Sequence, residues 1–356
     1  MMDQLQLKIR RERRLKLAAF LVTIGLSIVA IFVVDNLLVS FVLAVVITYL
    51  LAPIVNILES SRMPRQLAIL IPFIGATALV VFAIFMIAPL LSMQLFRLES
   101  QLPQYQHDLI NLLSRTESRF KGFFNVYNIN MSMTINAWIV DRTTQLSAFL
   151  PGVISRSLTV VMLAPFFAFF MLQDGRSISR SLLAMVPNNL FELALNLHHQ
   201  INEQLGGFIR ARFLEAAIVG IVVWVGLLAI GFPYATLLAL FAALTNLIPY
   251  LGPIVGAVPA VIIALVSEDA RIAGSMSLNL VLVTSIYFIA QLIDIVFIIP
   301  FVVAKIVNLH PVTVIIVIII GAQLMGILGM MISIPIASAL KLTVTAIYDH
   351  LMEFRT

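Results

Sequence analysis

The sequence predicts an all-α, polytopic membrane protein with about eight transmembrane helices, a broken or re-entrant sixth segment and two amphipathic surface regions. Three observations predict it. Of 356 residues, 61% are hydrophobic and only 11% are charged, where a soluble domain carries about a quarter charged. The mean hydropathy is +1.07, too high for a chain that must cover a water-facing surface, and the composition equally excludes a disordered or nucleic-acid-binding protein, both of which need abundant polar or basic residues. Finally, charge-free windows of roughly the 20 residues needed to cross about 30 Å of hydrocarbon recur along the chain.

The elements follow in order. Residues 1–16 form a basic cytoplasmic arm with Lys8, Arg10, Arg11, Arg13, Arg14 and Lys16. Residues 17–91 hold three spans, Leu17–Val34, Asn36–Leu58 and one beginning at Gln66, separated by Asp35 and by the charged turn Glu59–Arg65. No small-residue cleavage site follows Val34, so the first window reads as a retained helix rather than a signal peptide. In the extracytoplasmic segment 92–151, Leu95, Leu98, Leu102, Leu109, Leu112 and Leu113 recur at helical spacing, which predicts an amphipathic helix on the membrane surface. Residues 152–173 form the fourth span, with Pro165 inside it and Asp174-Gly175-Arg176 at its end.

Residues 174–212 are a second, cytoplasmic amphipathic segment. Asn189 and Glu192 stand at capping-box spacing, and Leu193, Leu197, Ile201 and Leu205 share one face. From Ala216 to Ser267 there is no charge, about 78 Å of helix at 1.5 Å per residue, so this run must turn. Gly231-Phe232-Pro233 is the natural corner, and Leu247-Ile-Pro249-Tyr250-Leu-Gly252-Pro253 interrupts what remains. Ile272–Ile299 and Pro311–Thr345 complete the spans of 213–348, and 349–356 is a cytoplasmic tail.

Basic residues orient the chain with both termini cytoplasmic. The basic arm, Arg62, Arg65, Arg176, Arg180, Arg210, Arg212, Arg271, Lys341 and Arg355 then fall inside, and Arg97, Arg115, Arg119, Lys121, Arg142, Arg156 and Lys305 outside.

No sequence pattern of a metalloprotease, a nucleotide-binding loop or a dinucleotide fold is present. Zero cysteines exclude disulfides and thiol chemistry. No catalytic residue, metal site or cofactor is predicted, and the adjacent His198 and His199 point different ways on a helix. The informative acid is Asp294, because an ionisable group within a span marks function or a specific pairing. Thr284, Tyr287, Gln291 and Asp294 follow at steps of three, four and three, one polar face of an apolar helix. Two readings are open: a solute or ion path, or a structural pairing of Asp294 with Lys305 or a neighbouring helix. The second candidate is the break at Asn246, Pro249, Tyr250, Gly252 and Pro253, since Gly/Pro-interrupted spans point to transport sites. Gly326, Gly329 and Pro335 repeat the pattern more weakly and read as close helix packing. Arg210, Arg212 and Glu215 read as an interfacial ion pair with snorkelling arginines.

Asn246-Leu-Ile-Pro249-Tyr250-Leu-Gly252-Pro253, Gln291-Leu-Ile-Asp294, Pro300, Leu309-His310-Pro311, Gly326-Ile-Leu-Gly329 and Ile334-Pro335 resemble the ordered signature of the autoinducer-2 exporter (PerM-like permease) family. The resemblance is dense from about Glu203 to Leu342 and lies in layout only before that. It implies a multi-pass protein of the bacterial inner membrane that exports a small polar molecule such as autoinducer-2, or exchanges a cation for protons. The matching positions are the 249–253 break, Gln291, Asp294, Pro300 and Pro311. Where the family often has Gly-Asn before the proline, this chain has Ile295-Val296, so that turn adds no polar side chain beside Asp294. The expected partners are the lipid bilayer and a small-molecule or ion substrate, with self-association into a homo-oligomer open and nucleic acid excluded. A non-transporting scaffold that binds partners through its surface helices is the rival from another class.

Overall fold

The computed structural model describes residues 36–119, 159–266, 276–296 and 309–353, together with Gly25 and Val34. The rest of the predicted first span, the basic arm, residues 120–158 and the positions Pro300 and Lys305 lie outside the described residues. Nearly all of the described residues are helical and none is in a strand. In order the helices are α1 (Leu37–Ser60), α2 (Arg65–Arg119), α3 (159–183), α4 (Phe191–Ala229), α5 (Ala235–Asn246), α6 (Gly252–Val266) and α7 (Met276–Ile293), followed by a helical stretch Pro311–Glu353. Five of these stretches are long and apolar enough to cross a membrane. The chain is a multi-pass membrane protein.

Several boundaries differ from the expectation. α2 does not stop at the membrane: it runs through Arg119 without a break, about 82 Å at the helical rise. Its polar half is therefore a continuation of the span, and that half rests on protein. Leu98, Tyr105, Leu109 and Leu112 pack against the cluster containing Val223, Leu227 and Tyr234. The Tyr234 hydroxyl donates to Gln101 Oε1 at 2.6 Å, and Gln94 Oε1 accepts the Leu237 N–H at 2.9 Å, which satisfies one of the orphan amides opening α5. Helix α3 likewise continues through Asp174-Gly175-Arg176 instead of ending there. Arg176 Nη1 pairs with Glu59 at 2.8 Å, and Arg65 Nη2 donates to the Leu172 carbonyl at 2.7 Å, which ties α3 to the α1–α2 turn. The capping-box reading is replaced by a 3-10 turn, Asn188–Leu190, with Leu190 at the N-cap of α4.

The corner at Gly231 and the break after Asn246 are where the sequence places them. Gly231 has φ 65° and Tyr234 φ 59°. α5 and α6 are about 18 and 22 Å long, each shorter than the hydrocarbon thickness. They form a hairpin: Gly252 sits on Thr245 and Asn246, and Gly256 sits on Thr245 and Ala242, so the helices run antiparallel. A Cβ on Gly252 would lie 2.7 Å from Asn246 Cα and still nearer the Thr245 carbonyl. We expect Gly252→Ala to lower stability by about 1–3 kcal/mol, the usual cost of overpacking, read as a drop in Tm of the detergent-solubilised protein.

The last predicted span is corrected. At Gly326 the backbone takes φ 62°, ψ −138°, a conformation open to glycine, and the chain reverses. Gly321 and Gly329 touch backbone to backbone, and a Cβ on Gly321 would lie 3.0 Å from Ser333 Cβ. In a straight helix residues eight apart are about 12 Å apart. The stretch is therefore two arms, α8 (311–325) and α9 (327–353), with Pro311 opening the first and Pro335 buried in the second. Gly329 does serve close packing, but across a hairpin rather than against another span. Leu247 at one hairpin tip and Leu328 at the other pack into one cluster with Val46, Ile209 and Met331.

α4 packs against both hairpins and α7 against the first, while the second also rests on α1; α4 and α7 run antiparallel. A Cβ on Gly226 would meet Ile286 Cγ2 at 2.6 Å, and toward the other ends of the two helices Glu215 reaches Asp294.

Candidate functional site

α4 contributes Arg212 and Glu215, one turn apart on the same face as Phe208, Val219 and Val223, the buried stripe of the helix. Arg212 Nη1 lies 2.5 and 2.7 Å from the two Glu215 oxygens, and the guanidinium stands 5.4 Å over the Phe208 ring. Arg212 is 7% and Glu215 1% exposed. This overturns the interfacial reading of the pair, because a snorkelling arginine keeps its head in water. Arg210 behaves differently: its Nη1 reaches the Tyr49 carbonyl at 3.4 Å from an exposed position.

The first hairpin contributes its tip. Asn246 closes α5, is 1% exposed, and donates from Nδ2 to Glu215 Oε1 at 3.2 Å. The next residues cannot continue the helix because Pro249 and Pro253 lack amide hydrogens. The turn is held by the Ile248 N–H to the Thr245 carbonyl at 2.9 Å and the Gly252 N–H to the Ile248 carbonyl at 2.9 Å, with Tyr250 at φ 65°. A left-handed non-glycine residue is uncommon and concentrates at functional turns.

α7 and the turn that follows it contribute Tyr287, Gln291 and Asp294 on one face. Gln291 Nε2 donates to Asp294 Oδ2 at 3.4 Å. Asp294 is 3% exposed, in a wider π turn that follows the helix. Its carboxyl lies within hydrogen-bonding reach of Glu215. Three buried atoms here have no hydrogen-bond partner among the described residues: Asp294 Oδ1, Arg212 Nε and Tyr287 OH.

These parts line one open cavity of about 560 Å³, the size of small-molecule sites. One wall is apolar, from Ile248, Pro249, Tyr250, Pro253, Ile254 and Ala257; the other is mostly polar, from Arg212, Glu215, Asn246, Tyr287, Gln291 and Asp294, with Ile295 beside them. The two separate candidates of the sequence, the broken segment and the polar face, thus meet at a single place. Gly252 supports the tip from behind without lining the cavity, and Thr284 is exposed and stands away from it. The pairing of Asp294 with Lys305 lies outside the described residues. Sequence reasoning missed Arg212 and Glu215, although their spacing from Phe208 and Val219 already put both charges on the apolar stripe.

The family model described as AI-2E family transporter matches residues 17–349. The chain belongs to the AI-2E transporter family. Similar proteins include "Putative transport protein YrrI" of Bacillus subtilis, 25% identical over 91% of this chain and 89% of that protein. "Putative transport protein YueF" of the same organism is 28% identical over 86% and 83%, respectively. "Putative permease PerM" of Escherichia coli is 28% identical over 92% of each chain. The AI-2E family is one of membrane transporters and permeases, which agrees with the resemblance read from the 246–253 and 291–294 motifs. None of the three names states a substrate. The site residues are therefore argued from their geometry.

Proposed function

We propose that the protein is a secondary transporter of the bacterial inner membrane whose cavity between the first hairpin tip and α7 binds a small polar solute on its way across. The observation that supports this most is the joining of an unwound, proline-bounded tip and a buried polar helix face around one cavity. Non-helical backbone at membrane depth is tolerated where it lines such a space. The solute that the family name suggests is autoinducer-2, and the direction is export. A polar ligand finds donors in Gln291, Asn246 and Arg212 and acceptors in the two carboxyls, while Pro249, Pro253 and Tyr250 offer flat apolar surface.

In this reading both termini are cytoplasmic and α4 runs outward, so the antiparallel α7 runs inward. The α5–α6 hairpin then enters and leaves from outside, and the α8–α9 hairpin from inside. Asp294 comes to lie toward the inner end of its span, opposite to the placement that eight full crossings imply. Two hairpins that enter from opposite sides and bring their tips into one apolar cluster fit the discontinuous spans of transporters built from inverted repeats. Exchange of a cation for protons is the second reading, favoured by the two acids facing one cavity.

The test is solute counterflow in proteoliposomes across a panel of small polar compounds including autoinducer-2. Ala257→Trp fills the cavity from its apolar wall. The variant should keep its thermal stability within about 1 kcal/mol and lose at least tenfold in exchange rate. Equal exchange by wild type and Ala257→Trp would place the path elsewhere.

A further inference from the structure

The cavity wall holds an uneven set of charges. Among the described residues Arg212 is its one cation, and Glu215 and Asp294 are its two acids, all less than a tenth exposed. The groups facing them from the packed elements are Asn246 from α5, Tyr250 from the tip, and Tyr287 and Gln291 from α7. None of these balances a second carboxylate. Both Glu215 oxygens are engaged by Arg212. Asp294 has Gln291 on Oδ2 and no donor on Oδ1, and the other carboxyl within its reach is an acceptor too. Two carboxylates in contact repel, whereas a carboxyl and a carboxylate share a hydrogen bond.

We propose that Glu215 and Asp294 share a single exchangeable proton and that this proton is the coupling ion of the transport cycle. The inference rests on the transport reading above. Its geometry selects a proton over a metal cation. A metal ion at the acid pair would sit beside the Arg212 guanidinium, which already occupies both oxygens of one of its two acidic ligands. A proton needs only the hydrogen-bonding reach between the two carboxyls. It binds as an O–H on one carboxyl, hydrogen-bonded to the other, and leaves to water; no other bond changes. Arg212 sets the stoichiometry at one, because one proton brings the cluster to neutrality. The link to the solute runs through Asn246, whose amide holds Glu215 to the hairpin tip: movement of the tip changes the surroundings of the shared proton.

The experiment is infrared difference spectroscopy of the full chain in nanodiscs, titrated between acid and alkaline buffer. Wild type should show the carbonyl stretch of one buried, protonated carboxyl disappearing in a single step. Asp294→Asn and Glu215→Gln should each abolish it, since the remaining carboxylate is matched by Arg212. Either variant suffices if the other fails to fold. Replacing potassium with sodium in the buffer should leave the step unmoved. A step that persists in the variants, or that sodium shifts, overturns the proton site. Flux that is unaffected by a protonophore or a pH gradient overturns the coupling and leaves the transport reading intact. A step of the expected kind with no flux of any solute overturns the transport reading, and the coupling with it.

Discussion

Arg212→Ala is expected to destabilise the folded protein by about 3–5 kcal/mol, the cost of leaving a buried charge without its partner. Glu215 is 1% exposed and its oxygens lie 2.5 and 2.7 Å from Arg212 Nη1, so the truncation leaves two acids facing each other with no cation among the described residues. The revealing comparison is the double variant Arg212→Met with Glu215→Leu. Exchanging a buried ion pair for apolar residues of similar volume is often neutral or stabilising. The double variant should therefore recover most of the stability lost by the single one, while transport stays at background because the ion pair of the polar wall is gone. Equal instability of both variants would show that the pair holds the fold by packing rather than by charge. The measurements are chemical unfolding in detergent and solute exchange in proteoliposomes.

Gly321→Val is expected to cost at least about 3 kcal/mol, at the upper end of overpacking effects. Its first carbon would fall onto the Gly329 carbonyl group and 3.0 Å from Ser333 Cβ, and those atoms are backbone or a buried neighbour that cannot rotate away. The second hairpin cannot close around it. Gly75→Val in α2 is the control: nothing lies within 4 Å of that position, so its effect should stay within about 0.5 kcal/mol. If α8 and α9 were one straight crossing, Gly321 and Gly329 would lie about 12 Å apart and Gly321→Val would behave like the control.

The sequence makes the bilayer legible through composition alone, and the first hairpin through Pro249 and Pro253, which must interrupt a helix wherever they stand. It makes the Tyr287, Gln291 and Asp294 face legible because polar groups in an apolar span stand out at helical spacing. It conceals the second hairpin: Gly326 is bounded by Met325 and Ile327, with no proline, and glycines in apolar helices usually serve packing. Gly326 and Gly329 therefore looked like a seam between spans. Glu215 was concealed for a different reason. It precedes a long uncharged run, so hydropathy places it at an interface, and only its contact with Asp294 from a distant helix puts it in the cavity. The polar half of α2 reads as a surface helix because its leucines have amphipathic spacing, which does not distinguish lipid from the Tyr234 corner that they cover. Local pattern identifies faces; what each face meets is decided by tertiary contacts.

The central claim is that the space between the first hairpin tip and α7 is a solute path. The chain has no cysteine, so single cysteines report without background. The most direct measurement is the labelling of Ala257→Cys in membrane vesicles by a small, water-soluble, membrane-impermeant thiol reagent, with Val258→Cys beside it as the reference. Ala257 lines the cavity, and Val258 is 47% exposed on the outside of the same helix. The account predicts that Ala257→Cys reacts at least tenfold faster than Val258→Cys and that a transported solute protects it. Equal, slow labelling at both positions would contradict it.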